Sequence, residues 1–126
     1  MMSPDEVWQK IMRELGDDWD RPNHHGIVLS RCLVRPPELR NYNVLQWPPK
    51  KLEGLTADGR PSVEVRYSVV ELWLVLEEKP ETKGGYKIVY DEKSGLFGLA
   101  ASGEPLLPGD TFEGPRGTFI ETLEAM

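Results

Sequence analysis

The stretch YKIVYDEKSGLFGLA, residues 86–100, decides the fold, because it has the pattern of two strands joined by a tight turn. Apolar or aromatic residues occupy every second position from Tyr86 to Tyr90, which is the period of a β-strand. The loop DEKSG ends in Gly95, and glycine readily takes the positive φ that short hairpin loops need. LFGLA then supplies the returning strand. The charged residues of the turn are predicted to face solvent and not to form an acid–base centre: Asp91, Glu92 and Lys93.

The preceding segment, residues 62–78, has the strongest strand pattern of the chain. Its apolar residues fall on odd positions up to Val69 and on even positions from Val70 onward. Because successive side chains of a strand face opposite ways, this change of phase predicts a bulge or break near 68–70. LWLVL at 72–76 is apolar on both faces, which is typical of a central strand covered on both sides.

Each end of the chain has the pattern of a capped helix. Residues 3–15 begin with a capping box between Ser3 and Glu6, and they carry an apolar stripe at helical spacing. Thr118 and Glu121 form a second capping box before a closing helix. We therefore expect a single α+β domain, residues 1–126, in which an N-terminal and a C-terminal helix pack against an antiparallel β-sheet.

The remaining segments are less regular. IVLSRCLV at 27–34 is interpreted as a strand, although its mixed pattern also allows a helix. Five prolines fall between residues 35 and 61, where NYNVLQW is a possible strand and WPPKKLEGLTADGRP is predicted to be irregular. Long irregular segments are functional or mobile. Residues 103–117 are predicted to be a loop or one short edge strand.

Composition limits the classes of partner. The net charge is −6, with 21 acidic and 15 basic residues, and the sequence has no basic patch of the kind that nucleic-acid binding requires. A basic protein or a small cationic ligand suits this charge better. The N-terminus lacks the pattern of a signal peptide, and the longest apolar run is far too short to span a bilayer. We therefore expect a cytoplasmic protein without a membrane partner.

The richest polar cluster is DDWDRPNHH at 17–25, which could ligate a divalent metal through carboxylates and imidazoles. It lacks the ligand alternation and the glycine of a calcium loop, so a solvated loop is the favoured interpretation. The candidate metal ligands are Asp17, Asp18, Asp20, His24 and His25. No sequence motif for nucleotide binding, hydrolase or zinc-protease chemistry is present, and Cys32, the only cysteine, is predicted to be a buried apolar residue.

Protein-binding candidates come from exposed acid and aromatic positions. Trp47 lies beside a proline-rich segment, and tryptophan is enriched at the energetic centres of interfaces. The alternative is that Trp47 covers the core beneath that segment. The candidate partner-binding residues are Asp17, Asp18, Asp20 and Trp47.

Two stretches carry a family resemblance: LWLVLEE with the following GGYKIVYDEKSGLFGLA, and the terminal GTFIETLEAM. Together they resemble uncharacterised small bacterial α+β proteins, over about the C-terminal half of the chain. The size, acidity and layout also resemble immunity proteins, which block a toxin partner in the cytosol. This resemblance implies that the shared residues stabilise the sheet instead of carrying an activity: Tyr90, Phe97, Gly98 and Leu99.

The working hypothesis is a non-enzymatic, acidic protein-binding domain without a cofactor, in the manner of an immunity protein that neutralises a toxin. The alternative is a small metal-binding or ligand-binding domain, or an enzyme, built on the Asp/His loop 17–25. A third hypothesis is a homo-oligomer that associates through the hairpin or an edge strand.

Overall fold

The computed structural model describes residues 1–17, 19–20, 26–55, 57–59, 61–82, 84–102 and 109–126. At residues 46–53, 55 and 61–66 it describes the backbone only. The three helices are α1 (Pro4–Leu15), α2 (Leu29–Cys32) and α3 (Phe119–Glu124). The five strands are β1 (Leu33–Leu55), β2 (Pro61–Lys79), β3 (Gly84–Asp91), β4 (Leu96–Ser102) and β5 (Asp110–Gly117). The predicted α+β class, with terminal helices and an antiparallel sheet, is confirmed.

The five strands close into a barrel in sequence order. Each strand pairs antiparallel with the next one, and β5 returns to β1 through the pair Asn43 and Thr111. In an up-and-down barrel with an odd number of strands, the first and last strands run the same way. The closing pair is therefore parallel.

Two apolar layers lie on opposite faces of the strands. The barrel interior holds one buried cluster, with Val34, Val70 and Phe112 packed against it: Tyr42, Leu72, Leu74, Val89 and Ala100. The second cluster lies between the outer face of β2–β4 and the helices, where Ile88, Phe97 and Leu99 meet Val7 and Ile11 of α1 and Phe119 of α3. LWLVL at 72–76 is buried throughout, as predicted, because β2 contributes to both layers.

Both predicted helix caps are present. The Ser3 hydroxyl accepts a hydrogen bond from the Glu6 backbone N–H at 3.2 Å, and the Glu6 carboxylate accepts one from the Ser3 N–H at 3.1 Å. Thr118 and Glu121 make the same reciprocal pair at the start of α3. Each cap satisfies backbone donors that a helix leaves without intrahelical partners.

The hairpin of residues 86–100 forms as predicted, and Gly95 has a φ of 74°. Its structural residues are buried, since Tyr90, Phe97 and Leu99 are almost wholly covered. Gly98 has a more specific role, because a Cβ placed there would overlap the carbonyl oxygen of Gly114 and lie 2.6 Å from the Phe112 ring. The close approach of β4 and β5 therefore requires glycine at this position.

Several local predictions were wrong. The segment 27–34, interpreted as a strand, contains the single turn of α2, and β1 begins only at Leu33. The segment 47–61 was predicted to be irregular, but β1 continues to Leu55 and pairs with β2, which begins at Pro61, through register shifts around its prolines. No bulge lies at 68–70, where the β1–β2 register is continuous. Asp110–Gly117 forms β5, which is a barrel-closing strand and not an edge strand.

Candidate functional site

The residues predicted to form a metal site are only partly described. Asp17 and Asp20 are exposed after α1, and the Asp20 carboxylate accepts a hydrogen bond from the Ser30 backbone N–H of α2 at 2.7 Å. Within the described part of the chain, no group of three or more His, Cys, Asp or Glu side chains is arranged to hold a metal ion. Asp18, His24 and His25 lie outside the described residues, so the metal site stays a prediction.

The other predicted positions are placed as follows. The backbone of Trp47 lies in β1, and its side chain is outside the described set. Cys32 is buried, its thiol lies 3.8 Å from the Glu78 carbonyl oxygen as a weak donor, and burial raises its pKa. A thiol with a raised pKa is a poor nucleophile, which agrees with the predicted packing role.

A bulge in β2 changes which side chains enter the barrel. Leu74 pairs with Val89, and the next paired residue, Leu76, faces Ile88, so two β2 residues oppose one β3 residue. The side chains of Val75 and Leu76 both join the outer cluster. As a result Glu77 falls on the interior face, directly opposite Lys87 of β3.

These interior side chains border a cavity of about 390 Å³ at one end of the barrel, here called the barrel-end pocket. It lies where β2 ends and β3 and β5 begin. Its volume is within the range of small-ligand sites. The lining residues are Arg40, Asn41, Tyr42, Leu74, Glu77, Lys87, Gly109 and Asp110.

An ion pair between a buried lysine and a partly exposed aspartate lines this pocket. The Lys87 ammonium lies 2.9 Å from an Asp110 carboxylate oxygen, and the other oxygen accepts a hydrogen bond from the Ser102 hydroxyl at 3.1 Å. Lys87 and Glu77 are each only 5% exposed. Because charges are stable inside a protein only when they are paired and hydrogen-bonded, this cluster fixes the relative positions of β3, β4 and β5.

Tyr42 also lines the barrel-end pocket, and its hydroxyl oxygen is buried. Its side chain is 2% exposed, and its hydroxyl has no hydrogen-bond partner among the described residues. Burial, with a smaller contribution from Asp110, raises the pKa of Tyr42 well above the ordinary range, so the hydroxyl is neutral. A buried hydroxyl without a partner costs roughly 1–3 kcal/mol.

Arg40 stands at the more open side of the pocket. Its guanidinium donates to the Glu38 carboxylate, including a 2.9 Å bond from Nε, and both side chains are about half exposed. The hydrogen bond to Glu38 raises the pKa of Arg40, which is cationic at every ordinary pH in any case. The pair therefore holds the guanidinium in one orientation beside solvent, with its charge balanced by the Glu38 carboxylate.

A second concavity lies on the outside of the barrel, between the middle of β1–β2 and the β3–β4 turn. Its volume is about 650 Å³, and we call it the acidic groove. Its apolar lining includes Met1, Leu39 and Val69, and its charged lining consists of Glu71, Asp91, Glu92 and Lys93. Val70 also borders the groove, although it packs against the interior cluster.

The β3–β4 turn is solvated as predicted at Lys93, which is exposed, but not at its two carboxylates. Asp91 and Glu92 are half-buried; Asp91 accepts a hydrogen bond from the Lys93 backbone N–H at 3.1 Å. Glu92 accepts one from the Met2 backbone N–H at 2.6 Å. These bonds hold the turn carboxylates beside the groove.

Sequence reasoning missed both concavities. Glu77 and Lys87 lie in charged or alternating runs of the sequence, which do not show that both side chains line one pocket. One signal was available: Lys87 shares its strand face with Val89, and a lysine in phase with a core valine points toward the interior. The pairing with Asp110 depends on barrel closure, which no local pattern indicates.

No helix in the described parts of the chain is both long and apolar enough to cross a membrane. Comparison with protein-family models, curated proteins and solved structures found no match to this chain.

Proposed function

We propose that this chain is a protein-binding domain whose acidic groove docks a basic segment of another protein through an apolar side chain. The proposal rests mainly on the exposure of Val69. This apolar side chain lies in the middle of β2, is 67% exposed and lines the acidic groove. Exposed apolar residues in a groove with a polar rim are typical of interaction sites.

The charge of the groove rim favours a basic partner. Glu71, Asp91 and Glu92 outnumber Lys93, so the groove is acidic like the whole chain, whose net charge is −6. A basic protein segment meets complementary charge there, which speeds encounter and opposes wrong partners. A second copy of this chain would bring two acidic rims together, so like-charge repulsion opposes self-association through the groove.

The finer form of this proposal follows the resemblance to immunity proteins. On that reading the basic partner is an intracellular toxin, and docking in the groove blocks its action without chemistry by this chain. The support is the acidic groove together with the resemblance to immunity proteins in size, acidity and α+β layout.

Site-specific photo-crosslinking tests the proposal. A photoreactive amino acid is placed at Val69, and in a matched control at Ile120 of α3, which is also apolar and exposed. Both proteins are irradiated in lysate and the adducts are mapped by mass spectrometry. We expect a discrete basic protein joined at position 69 and not at position 120. Equal adducts at both positions, or none at position 69, would contradict the proposal.

A further inference from the structure

The long hairpin of β1 and β2 extends beyond the barrel as a two-stranded ribbon, here called the β-ribbon (residues 44–55 and 61–68). Among the described residues, β2 pairs with β3 only from Trp73 onward, and β1 pairs with β5 only at Asn43. The strands of the β-ribbon therefore have only each other as neighbours in the described sheet. A two-stranded hairpin is marginally stable in water by itself, and its outer edges present backbone N–H and C=O groups to which a further strand can bind.

The two outer edges of the β-ribbon differ in how well they suit a further strand. On β1, Pro48 and Pro49 fall inside a register shift, and proline has no N–H to donate. On β2, residues 62–68 contain no proline, and valine and tyrosine alternate there with polar residues. Valine and tyrosine are enriched in strands because they pack well on a pleated surface. The β2 edge is therefore the one that suits a further strand.

The sequence of the β2 edge is complementary to itself in the antiparallel direction. When two copies pair with Val65 opposite Val65, Glu64 of each copy lies opposite Arg66 of the other, and Val63 lies opposite Tyr67. Opposite charges and aromatic–aliphatic pairs at directly opposed positions stabilise an antiparallel sheet. This pattern favours a second copy of the chain over an unrelated strand.

The rest of the β-ribbon supports the same arrangement. Lys50 of β1 is the register partner of Glu64, so the paired sheet sets each Glu64 position between Lys50 of its own copy and Arg66 of the other. The segment 44–68 has four basic and three acidic residues, whereas the rest of the chain has eleven basic and eighteen acidic residues. The β-ribbon is thus the part of this acidic chain where two copies meet the least like-charge repulsion.

We propose that the protein forms a two-fold symmetric dimer in which the β2 edges, residues 62–68, pair antiparallel about Val65 and join the two β-ribbons into a four-stranded sheet. Pro61 ends the pairing because it has no N–H to donate at the position opposite Val69. The acidic groove therefore lies outside the paired segment, and the dimer does not depend on the docking function proposed for that groove. The two Val69 positions are eight residues apart along the sheet, about 26 Å, which exceeds the Debye length of about 8 Å at physiological ionic strength.

Sedimentation velocity of the full chain tests the dimer, with charge reversals at the paired positions. Arg66→Glu and Glu64→Arg each place like charges opposite each other in a homodimer, whereas an equimolar mixture of the two variants restores both opposite-charge pairs in a heterodimer. The matched controls are Arg116→Glu and Glu113→Arg, which make the same changes in net charge at exposed positions of β5. Circular dichroism checks that each variant is folded.

A seven-residue strand edge is a small interface, so we expect a reversible wild-type dimer with a dissociation constant of roughly 100 μM or below. Each β-ribbon variant alone should weaken association by roughly tenfold or more, the mixture should recover it, and the β5 variants should associate like the wild type. The wild-type measurement tests the dimer even if a variant does not fold.

Three results would overturn the proposal. The first is a wild-type chain that stays monomeric at about 500 μM, several times the expected dissociation constant. The second is a mixture of the folded β-ribbon variants that associates no more than either variant alone. The third is an equal loss of association in the β5 variants, which would assign the effect to net charge and not to the β2 edge.

Discussion

Glu77 and Lys87 lie directly opposite each other on β2 and β3, and one bulge at Val75–Leu76 of β2 turns Glu77 to the interior face that Lys87 already occupies. Without that extra residue, Glu77 would point outward and Leu76 would enter the barrel. A single backbone irregularity therefore converts the end of an apolar interior into a charged pocket.

Tyr42→Phe is expected to stabilise the free protein by about 1 kcal/mol. The substitution keeps the ring in the interior cluster and removes a buried hydroxyl that lacks a partner among the described residues. Urea unfolding followed by circular dichroism measures the change. Tyr86→Phe, at an exposed tyrosine, is the control and should change the free energy of unfolding very little. A destabilised Tyr42→Phe would show that the hydroxyl has a partner.

The same tyrosine gives a pH dependence. Its pKa is raised in the folded protein, so above pH about 10 the unfolded chain releases a proton that the native state retains. Stability contributed by this group is therefore fully present below that pH and falls as the pH rises. We expect the free energy of unfolding to decline more steeply above pH 10 in the wild type than in Tyr42→Phe. Parallel declines would contradict the buried, neutral state of Tyr42.

Asp110→Ala is expected to destabilise the protein by about 2 kcal/mol, because it leaves the Lys87 ammonium buried without its 2.9 Å partner. The value lies below the usual cost for breaking a fully buried pair, since Asp110 is partly exposed and solvent screens it. Lys87→Met in the same background should recover much of the loss, which a double-mutant cycle measures. Additive effects of the two substitutions would indicate that the ion pair contributes nothing.

Gly98→Ala is expected to destabilise the barrel by about 2 kcal/mol or to displace β5, because the new methyl group would overlap the Gly114 carbonyl and the Phe112 ring. Gly95→Ala is the comparison. It meets no atom within 4 Å and carries only the strain of its positive φ, about 1 kcal/mol. Equal costs at the two sites would mean that contact with β5 does not determine the glycine at 98.

The sequence predicted those elements whose signals are local. The two capping boxes, the hairpin around Gly95 and the doubly covered strand at 72–76 depend on neighbouring residues, and all of them are present. The bulge at Val75–Leu76 could not be predicted, because LWLVL is apolar at every position. Without alternation of apolar and polar residues, the sequence does not indicate which side chains face the interior. The Asn43–Thr111 pair that closes the barrel joins segments that are distant in sequence. The Lys87–Asp110 ion pair depends on the same closure, so it could not be predicted from local patterns either.

The proposed docking function depends most directly on the negative charge of the groove carboxylates beside Val69, and a charge reversal at Glu71 tests that dependence. Glu71→Lys changes an exposed residue of the acidic groove, and Glu113→Lys changes an exposed residue of β5 outside it, so both alter the net charge equally. Each variant carries the photoreactive residue at position 69, and the yield of the mapped basic adduct is measured at low ionic strength. We predict that Glu71→Lys lowers the yield by roughly tenfold while Glu113→Lys leaves it near the wild-type value. Equal yields from the two variants would contradict the acidic groove as the docking site.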